Sequence, residues 1–356
     1  MECMLDLLKE TKRNLWEKFR FIKLKITILE IKLLKCFFKK QLGSITLQFW
    51  ADKADDGSGA QIQRILTTRA LADYLGCGYR AAKFKSVTVH PLDPFQTKKA
   101  LDKYLVKLNK LFYIESTTNL PQSIEQYEVF NLNSKNLLKF CLIASKSKRP
   151  LLVKILSPYS ISESIPNLML NSIRFIPEFF KYMNREQFSK FDVAVHYRQG
   201  AGGFAVFPGQ SISRQLPVDY FLDATRHAKS LVSSKFVSLA VLTDSPLKSM
   251  KYSPLKNQIS LWNHTPGFRN KKVNILSTDL SGLVNIHGVK SKIYSGGDPI
   301  DAIVIMAKAD YFIMSLSSLS FLAGVFNNGL VVYPPGFWHR PLNHWQSGRN
   351  FLKNMD

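Results

Sequence analysis

Val193-Ala-Val-His196-Tyr-Arg198-Gln-Gly200 is a short apolar run that stops abruptly at a histidine, an arginine and a glycine. Such a run, set among helical segments, reads as a strand of a parallel α/β sheet, and ligands of these sheets sit at the strand ends. An arginine at that end offers a permanently charged planar fork, better matched to a diphosphate than a lysine ammonium is. An ordinary strand with a salt bridge at its rim would use the same residues, so the segments on either side carry the decision.

Toward the C-terminus, a flexible Gly200-Ala-Gly-Gly203 is followed by Ser213-Arg214 and a helix from Val218 to about Leu231, with Arg214 a second candidate donor contact. Apolar strands at Phe236 to Leu242 and Val273 to Leu276 end in Thr243-Asp244 and Ser277-Thr278-Asp279, the strand-then-polar-tip habit of nucleotide-binding sheets. Asp298-Pro299-Ile-Asp301 opens the next helix. N-capping, proline at the first helical position and an acid in the first turn account for both carboxylates, although a cap can also line a site. Asp310 to Met314 then reads as a strand running into Ser315, Ser317, Ser318 and Ser320 at the start of an apolar helix. Four serines in six positions exceed what one cap needs, and place hydroxyls beside helix N-terminal amides, a setting that suits a phosphate. Leu330 to Tyr333 and Pro334-Pro335 close the unit.

Toward the N-terminus, Ile45 to Trp50 predicts a strand, 51–59 a tight loop containing Asp55, Asp56, Gly57 and Gly59, and Gln61 to Leu75 a helix stopped by Gly76. Strand, glycine loop and helix in that order can cradle a ligand, because glycine lets backbone approach closely; a plain turn remains the alternative. Ile62 stands where a dinucleotide fingerprint has its third glycine. Further elements are expected at Phe95 to Leu111 (helix), Glu128 to Asn131 (strand), Leu137 to Ala144 (helix), Leu151 to Leu156 (strand) and Asn167 to Met183 (helix). These divide the chain into 44–187, 188–338 and a tail at 339–356.

Residues 1–43 stand apart. Trp16, Phe19, Ile22, Ile26, Leu29, Leu33 and Phe37 fall on one helical face, interleaved with Lys18, Lys23, Lys25, Lys32, Lys35, Lys39 and Lys40. Lysines interrupt every apolar run well short of the roughly 20 residues a membrane span needs. An in-plane anchor on anionic lipid, a partner helix and a core-packing helix all remain open.

At 356 residues with 46% hydrophobic and 12% aromatic content, the chain can fill two cores. Lys and Arg outnumber Asp and Glu 49 to 26, a net +23, so an acidic partner is expected: nucleic acid, anionic membrane or a phosphate-bearing substrate. No nucleic-acid module is recognisable, and aromatics do not interleave with the basic runs as base stacking requires. Cys3, Cys36, Cys77 and Cys141 are too scattered for a zinc site or a disulfide scaffold, no H-E-x-x-H occurs, and no cleavable signal peptide is evident. The acidic loop from Asp52 to Asp56 lacks the apolar-flanked D-x-D of metal-dependent transferases.

Taken together, Gly57-Ser-Gly59-Ala60-Gln61, Val195-His196-Tyr-Arg198-Gln-Gly200, Thr243-Asp244, Asp298 to Asp310 and Ser315 to Gly324 resemble, in order and content, the fucosyltransferase-like glycosyltransferases of the GT-B fold. The resemblance covers about 44–338. Ala60 stands in place of a usual Asn, Leu316 lies where an Asn is frequent, and Ala201 where an Asp is common.

It implies an α/β chain with two Rossmann-like domains facing a cleft, after the basic amphipathic helix. The implied reaction is inverting sugar transfer from a nucleotide sugar, GDP-fucose foremost, to a glycan or lipid-linked glycan hydroxyl, with no cofactor and no obligatory metal. Arg198 and His196 would serve catalysis. Gly57, Gly59, Gln61, Arg214, Asp244, Asp298, Ser317, Ser318 and Ser320 would bind the donor, and Asp55 or Asp56 could act as base. A non-catalytic sugar-binding scaffold and a nucleic-acid-binding protein are the alternatives. With the basic helix, the expectation is a cytoplasmic enzyme peripheral to the inner membrane face.

Overall fold

The structure is a computed structural model that describes residues 25–26, 29, 32–33, 35–53, 56–89, 93–95, 97–117, 120–121, 123–132, 137–156, 167–198, 205–206, 216–244, 274–275, 280–335, 337 and 339–351. They form a mixed α/β fold with two separate parallel sheets, the expected class. The chain groups into two compact units: Met1–Trp50 with Arg64–Ala82 and Ile114–Ser172, and Ala51–Gln63 with Lys83–Tyr113 and Ile173–Asp356.

The first unit contains α1 (Lys39–Gly43), β1 (Ile45–Phe49), most of α2 (Ser58–Leu75), and β2 (Gly78–Tyr79). The second unit contributes α3 (Lys98–Phe112); the first then resumes with β3 (Glu128–Leu132), α4 (Leu137–Ala144), β4 (Leu151–Ile155) and α5 (Leu168–Ser172). Its four strands lie in the order β2-β1-β4-β3, all parallel, with Ile45 opposite Leu151 and Thr46 opposite Gly78. Both central strands are buried apart from half-buried Gln48 and Lys154, with Leu47, Leu151, Leu152 and Val153 fully enclosed. Burial of successive residues, as over Leu151 to Val153, belongs to parallel strands covered on two sides.

The second unit continues with α6 (Pro177–Met183), β5 (Val193–Tyr197), β6 (Ala205–Val206), α7 (Val218–Leu231), β7 (Val237–Thr243), β8 (Asn274–Ile275), α8 (Ser281–Val284) and β9 (Val289–Ser295). It ends with α9 (Pro299–Lys308), β10 (Tyr311–Ile313), α10 (Ser318–Phe326), β11 (Leu330–Tyr333) and β12 (Gln346–Ser347). Six of its strands form one parallel sheet in the order β12-β11-β10-β5-β7-β9. The chain therefore starts in the middle at β5, winds outward through β7 to β9, returns to β10 beside β5, and winds outward the other way. Phe112, Phe179 and Phe326 stack in series, with ring centroids 4.9 and 4.8 Å apart, and tie α3, α6 and α10 into the core.

Asn327 fastens the far end of α10. Its buried amide donates to the carbonyls of Met306 and Ala309, at 2.9 and 2.8 Å, while its oxygen accepts from Gly329 N at 2.6 Å. Gly329 has no room for more: a Cβ there would lie 2.2 Å from the Asp310 carbonyl oxygen.

Three expectations are corrected. The single helix expected over Asn167 to Met183 is broken into α5, a 3-10 turn (Ile173–Phe175) and α6, because Pro177 cannot continue a helix but suits the first position of a new one. The strand expected at Val273 to Leu276 does not join the parallel sheet; its described residues, 274–275, pair antiparallel with 205–206. The sheet's edge is instead β9, which sequence reading missed because Lys290 and Lys292 interrupt its apolar pattern. Exposed lysines are what an edge strand carries against stray pairing. Finally, the described residues 339–351 are no loose tail: β12 extends the sheet, and Trp345 is buried against Phe321. The proposed N-terminal helix lies largely outside the described residues; those described between 25 and 37 are helical.

Candidate functional site

The two halves of the larger sheet diverge between β5 and β10, and a ligand crevice opens at such a switch point, beyond the carboxyl ends of the strands. Arg198 is the first residue past β5, and Met314-Ser315 follow β10. Because side chains alternate along a strand, His196 and Arg198 face one side and Tyr197 the other. Tyr197 packs against Phe221 of α7, while His196 and Arg198 both meet the start of α10.

Arg198 is held from two directions. Its Nη1 donates to Ser317 Oγ at 3.1 Å, and its Nε lies 3.3 Å from the Asp244 carboxylate at the end of β7. The side chain keeps 15% of its surface exposed, enough to reach a ligand from a fixed position. Ser317 is the N-cap of α10, its hydroxyl accepting from Leu319 N at 3.1 Å, and Ser318 is half-buried in the first turn. A cationic fork beside a helix N-terminus is a setting for an anion.

His196 is fully enclosed behind this surface. Its Nδ1 lies 2.5 Å from Ser320 Oγ and 3.1 Å from Ser315 Oγ, and the two hydroxyls are 3.1 Å apart. Burial, followed by the nearby Arg198 charge, lowers the imidazole to about 3, so the ring is neutral at physiological pH. In this arrangement the ring, bonded to two buried serines, links the end of β5 to the start of α10. Ser320, fully buried, does the same, and Ser315 completes the group.

The glycine loop meets the same helix. A Cβ on Gly59 would lie 2.9 Å from Leu319 Cα and 3.0 Å from Leu319 N, so only glycine permits this approach to the first turn of α10. Gly57 precedes it, its carbonyl accepting from Gln61 N at 3.2 Å. Gln61 is buried, and its amide donates to the carbonyls of Asp56 and Ser86, each at 2.8 Å, which shapes the loop. Gly59→Val is expected to cost about 1–3 kcal/mol by overpacking and to weaken nucleotide binding through displacement of α10, as urea unfolding and ligand titration would show. Unchanged values for both would show that the approach is not needed.

Asp298 joins a different cluster. Its carboxylate caps α9, accepting from Ile300 N at 2.8 Å, and pairs with Lys107 Nζ at 2.6 Å. Lys107 also reaches Asp301 at 2.9 Å, and Tyr182 donates its hydroxyl to the same Asp301 oxygen at 2.5 Å. Burial alone would lower the Lys107 ammonium, but its bonds to Asp298, Tyr182 and Asp301 outweigh that and hold it above the ordinary lysine value. A cavity of about 560 Å³ borders this group, lined by Phe95, Tyr104, Lys107, Tyr182 and Arg185 among others. Lys107 and Tyr182 carry no motif, and Lys107 lies 191 and 194 positions from its partners Asp298 and Asp301, so sequence reading could not join them to those carboxylates.

Asp55, Arg214 and Gly200 lie outside the described residues; Asp56 is half-buried, its carbonyl accepting from Thr88 N at 3.1 Å. Among the described residues, no three His, Cys, Asp or Glu side chains converge as a metal site would require.

No protein-family profile matches the sequence, and no curated protein matches it. Among solved structures, a mutant of Arabidopsis thaliana FUT1 in complex with GDP is similar at 11% identity and a TM-score of 0.35, over 91% of this chain and 80% of that one. E. coli heptosyltransferase WaaC with ADP-2-deoxy-2-fluoro heptose is similar at 9% identity and a TM-score of 0.34, over 85% of this chain and 92% of that one. The same enzyme with ADP gives 10% and 0.33 over the same shares. Likeness of this degree assigns neither ligand nor activity, which rest on the site's own geometry.

Proposed function

We propose that this chain is a glycosyltransferase that uses a nucleoside diphosphate-sugar, GDP-fucose in the first instance, and transfers the sugar with inversion to a glycan hydroxyl. The observation that carries the reading is Arg198, fixed by Ser317 and Asp244 at the switch point of a doubly wound sheet while still exposed to a ligand.

The chemistry follows from charge. The acceptor oxygen forms a bond to the anomeric carbon as the bond to the diphosphate breaks, the acceptor proton leaves to a base, and negative charge grows on the departing diphosphate. A guanidinium already in position stabilises that charge without reorganising. The first turn of α10 supplies partial positive charge on the same side. Asp244 aims the fork, and the His196, Ser315 and Ser320 group holds α10 in register with β5.

The test is titration of the purified protein with GDP-fucose, GDP-mannose, UDP- and dTDP-sugars, with and without EDTA. Binding of a GDP-sugar that survives chelation, together with transfer to a glycan acceptor, is the expected result. Binding without transfer to any acceptor would make the chain a sugar-nucleotide receptor, and binding to none of the panel would remove the donor reading.

A further inference from the structure

The proposed function makes no use of the basic N-terminal segment, yet its described residues present an unusual surface. Ile26, Leu29, Leu33 and Phe37 are 62%, 58%, 46% and 74% exposed. At 100° per residue they fall within one narrow arc, and the stripe runs about 16 Å along a helix. Lys25 and Lys32, both exposed, flank that arc on one side, exposed Lys39 and Lys40 follow it, and Lys35 on the opposite face lies over the Tyr74 ring, 4.1 Å from its centroid. Glu30 is the single acidic residue between Lys18 and Lys40.

A second feature of the same unit repeats the combination. α4, which packs against α1, exposes Leu142 at 50% and carries exposed Lys139, with exposed Lys146 and Lys148 just beyond its end. Apolar side chains of this size left in water cost free energy unless something covers them, and the flanking charge specifies what. A neutral protein groove would gain nothing from the lysines. A coiled-coil partner would need acidic residues facing them, and a second copy of this segment would bring lysine against lysine.

We infer that this face docks on an anionic lipid bilayer, the helix lying in the plane of the interface with Ile26, Leu29, Leu33 and Phe37 inserted among the acyl chains and the lysines at the headgroups. Apolar burial and electrostatic attraction then act together, as in-plane helices require. The inference stands apart from the donor reading and needs no nucleotide.

The full-length chain is tested by co-sedimentation with vesicles of phosphatidylcholine containing 30% phosphatidylglycerol (about the anionic content of a bacterial-type surface), beside vesicles of phosphatidylcholine alone. Because a net charge of +23 attracts any anionic surface, the deciding variant is Leu33→Ser/Phe37→Ser, which leaves the charge untouched. Both side chains are exposed, so its thermal unfolding should match that of the wild type. The expected result is a loss in vesicle affinity on the order of 100-fold for that variant, and on the order of 30-fold for Lys25→Gln/Lys32→Gln. Equal sedimentation with both vesicle types, or wild-type affinity in the serine variant, overturns it. So does a concentration-dependent dimer that the serine variant abolishes in the absence of vesicle binding, which would give the face to a second copy.

Discussion

Arg198→Ala is expected to lower turnover of the sugar nucleotide by about 10²–10³-fold, or roughly 3–4 kcal/mol of transition-state stabilisation, the magnitude seen when one preorganised charge-stabilising donor is removed. The loss should fall mainly on kcat, because charge on the diphosphate is larger in the transition state than in the bound donor. Arg198→Lys keeps the charge but cannot reach Ser317 and Asp244 as a fork does, so it should recover only part of the rate. Steady-state kinetics with the donor identified by titration makes the comparison. A variant with unchanged kcat and a raised KM would demote Arg198 to ground-state binding, and wild-type kinetics in both variants would sink the assignment.

The second large effect is on stability and depends on pH. His196 is held to about 3 in the folded chain by burial and by Arg198, against an ordinary value near 6.5 in the unfolded chain. Between those values the unfolded chain takes up a proton that the folded chain refuses. Stability that is fully present above about pH 6.5 is therefore lost as the pH falls toward 3, by about 1.4 kcal/mol per pH unit. From pH 6.5 to 4.5 the loss is roughly 2.5 kcal/mol, a large part of the margin of a typical domain. Urea unfolding across that range, compared between wild type and His196→Gln, isolates the contribution, since paired carboxylates affect both proteins alike. The difference between the two should shrink steadily as pH falls; a constant difference would mean that the ring is protonated and solvated in the folded chain.

The central strands of the parallel sheet around β5 were legible because they are mostly apolar and end at polar tips: Val193 to Val195 before His196, Val237 to Leu242 before Thr243, Tyr311 to Met314 before Ser315. The caps at Asp298 and Ser317 were legible for the same local reason, each accepting from a backbone amide within the first turn, whereas Thr97 caps a helix whose start was expected at Phe95. β9 was not, since an edge strand half open to water follows no apolar rule. At the site, Arg198, Ser317, Asp244 and Gly59 could be singled out one by one, but not that Gly59 abuts Leu319 or that Arg198 bridges Ser317 and Asp244. Those are long-range facts of packing. Nor could the sequence show that His196 is buried and neutral: the same ring at a surface would titrate, and here it is enclosed beside Ser315 and Ser320.

α10 is clamped at both ends, by Ser317, Ser320 and the close approach of Gly59 at its start and by Asn327 at its finish. A helix so restrained does not have to be ordered by its ligand, and its amides offer every phosphate the same welcome whatever base or sugar is attached. In the proposed function, discrimination between nucleotides then falls to residues other than those of α10. Changing such residues would retune the choice of donor and leave the clamped helix intact.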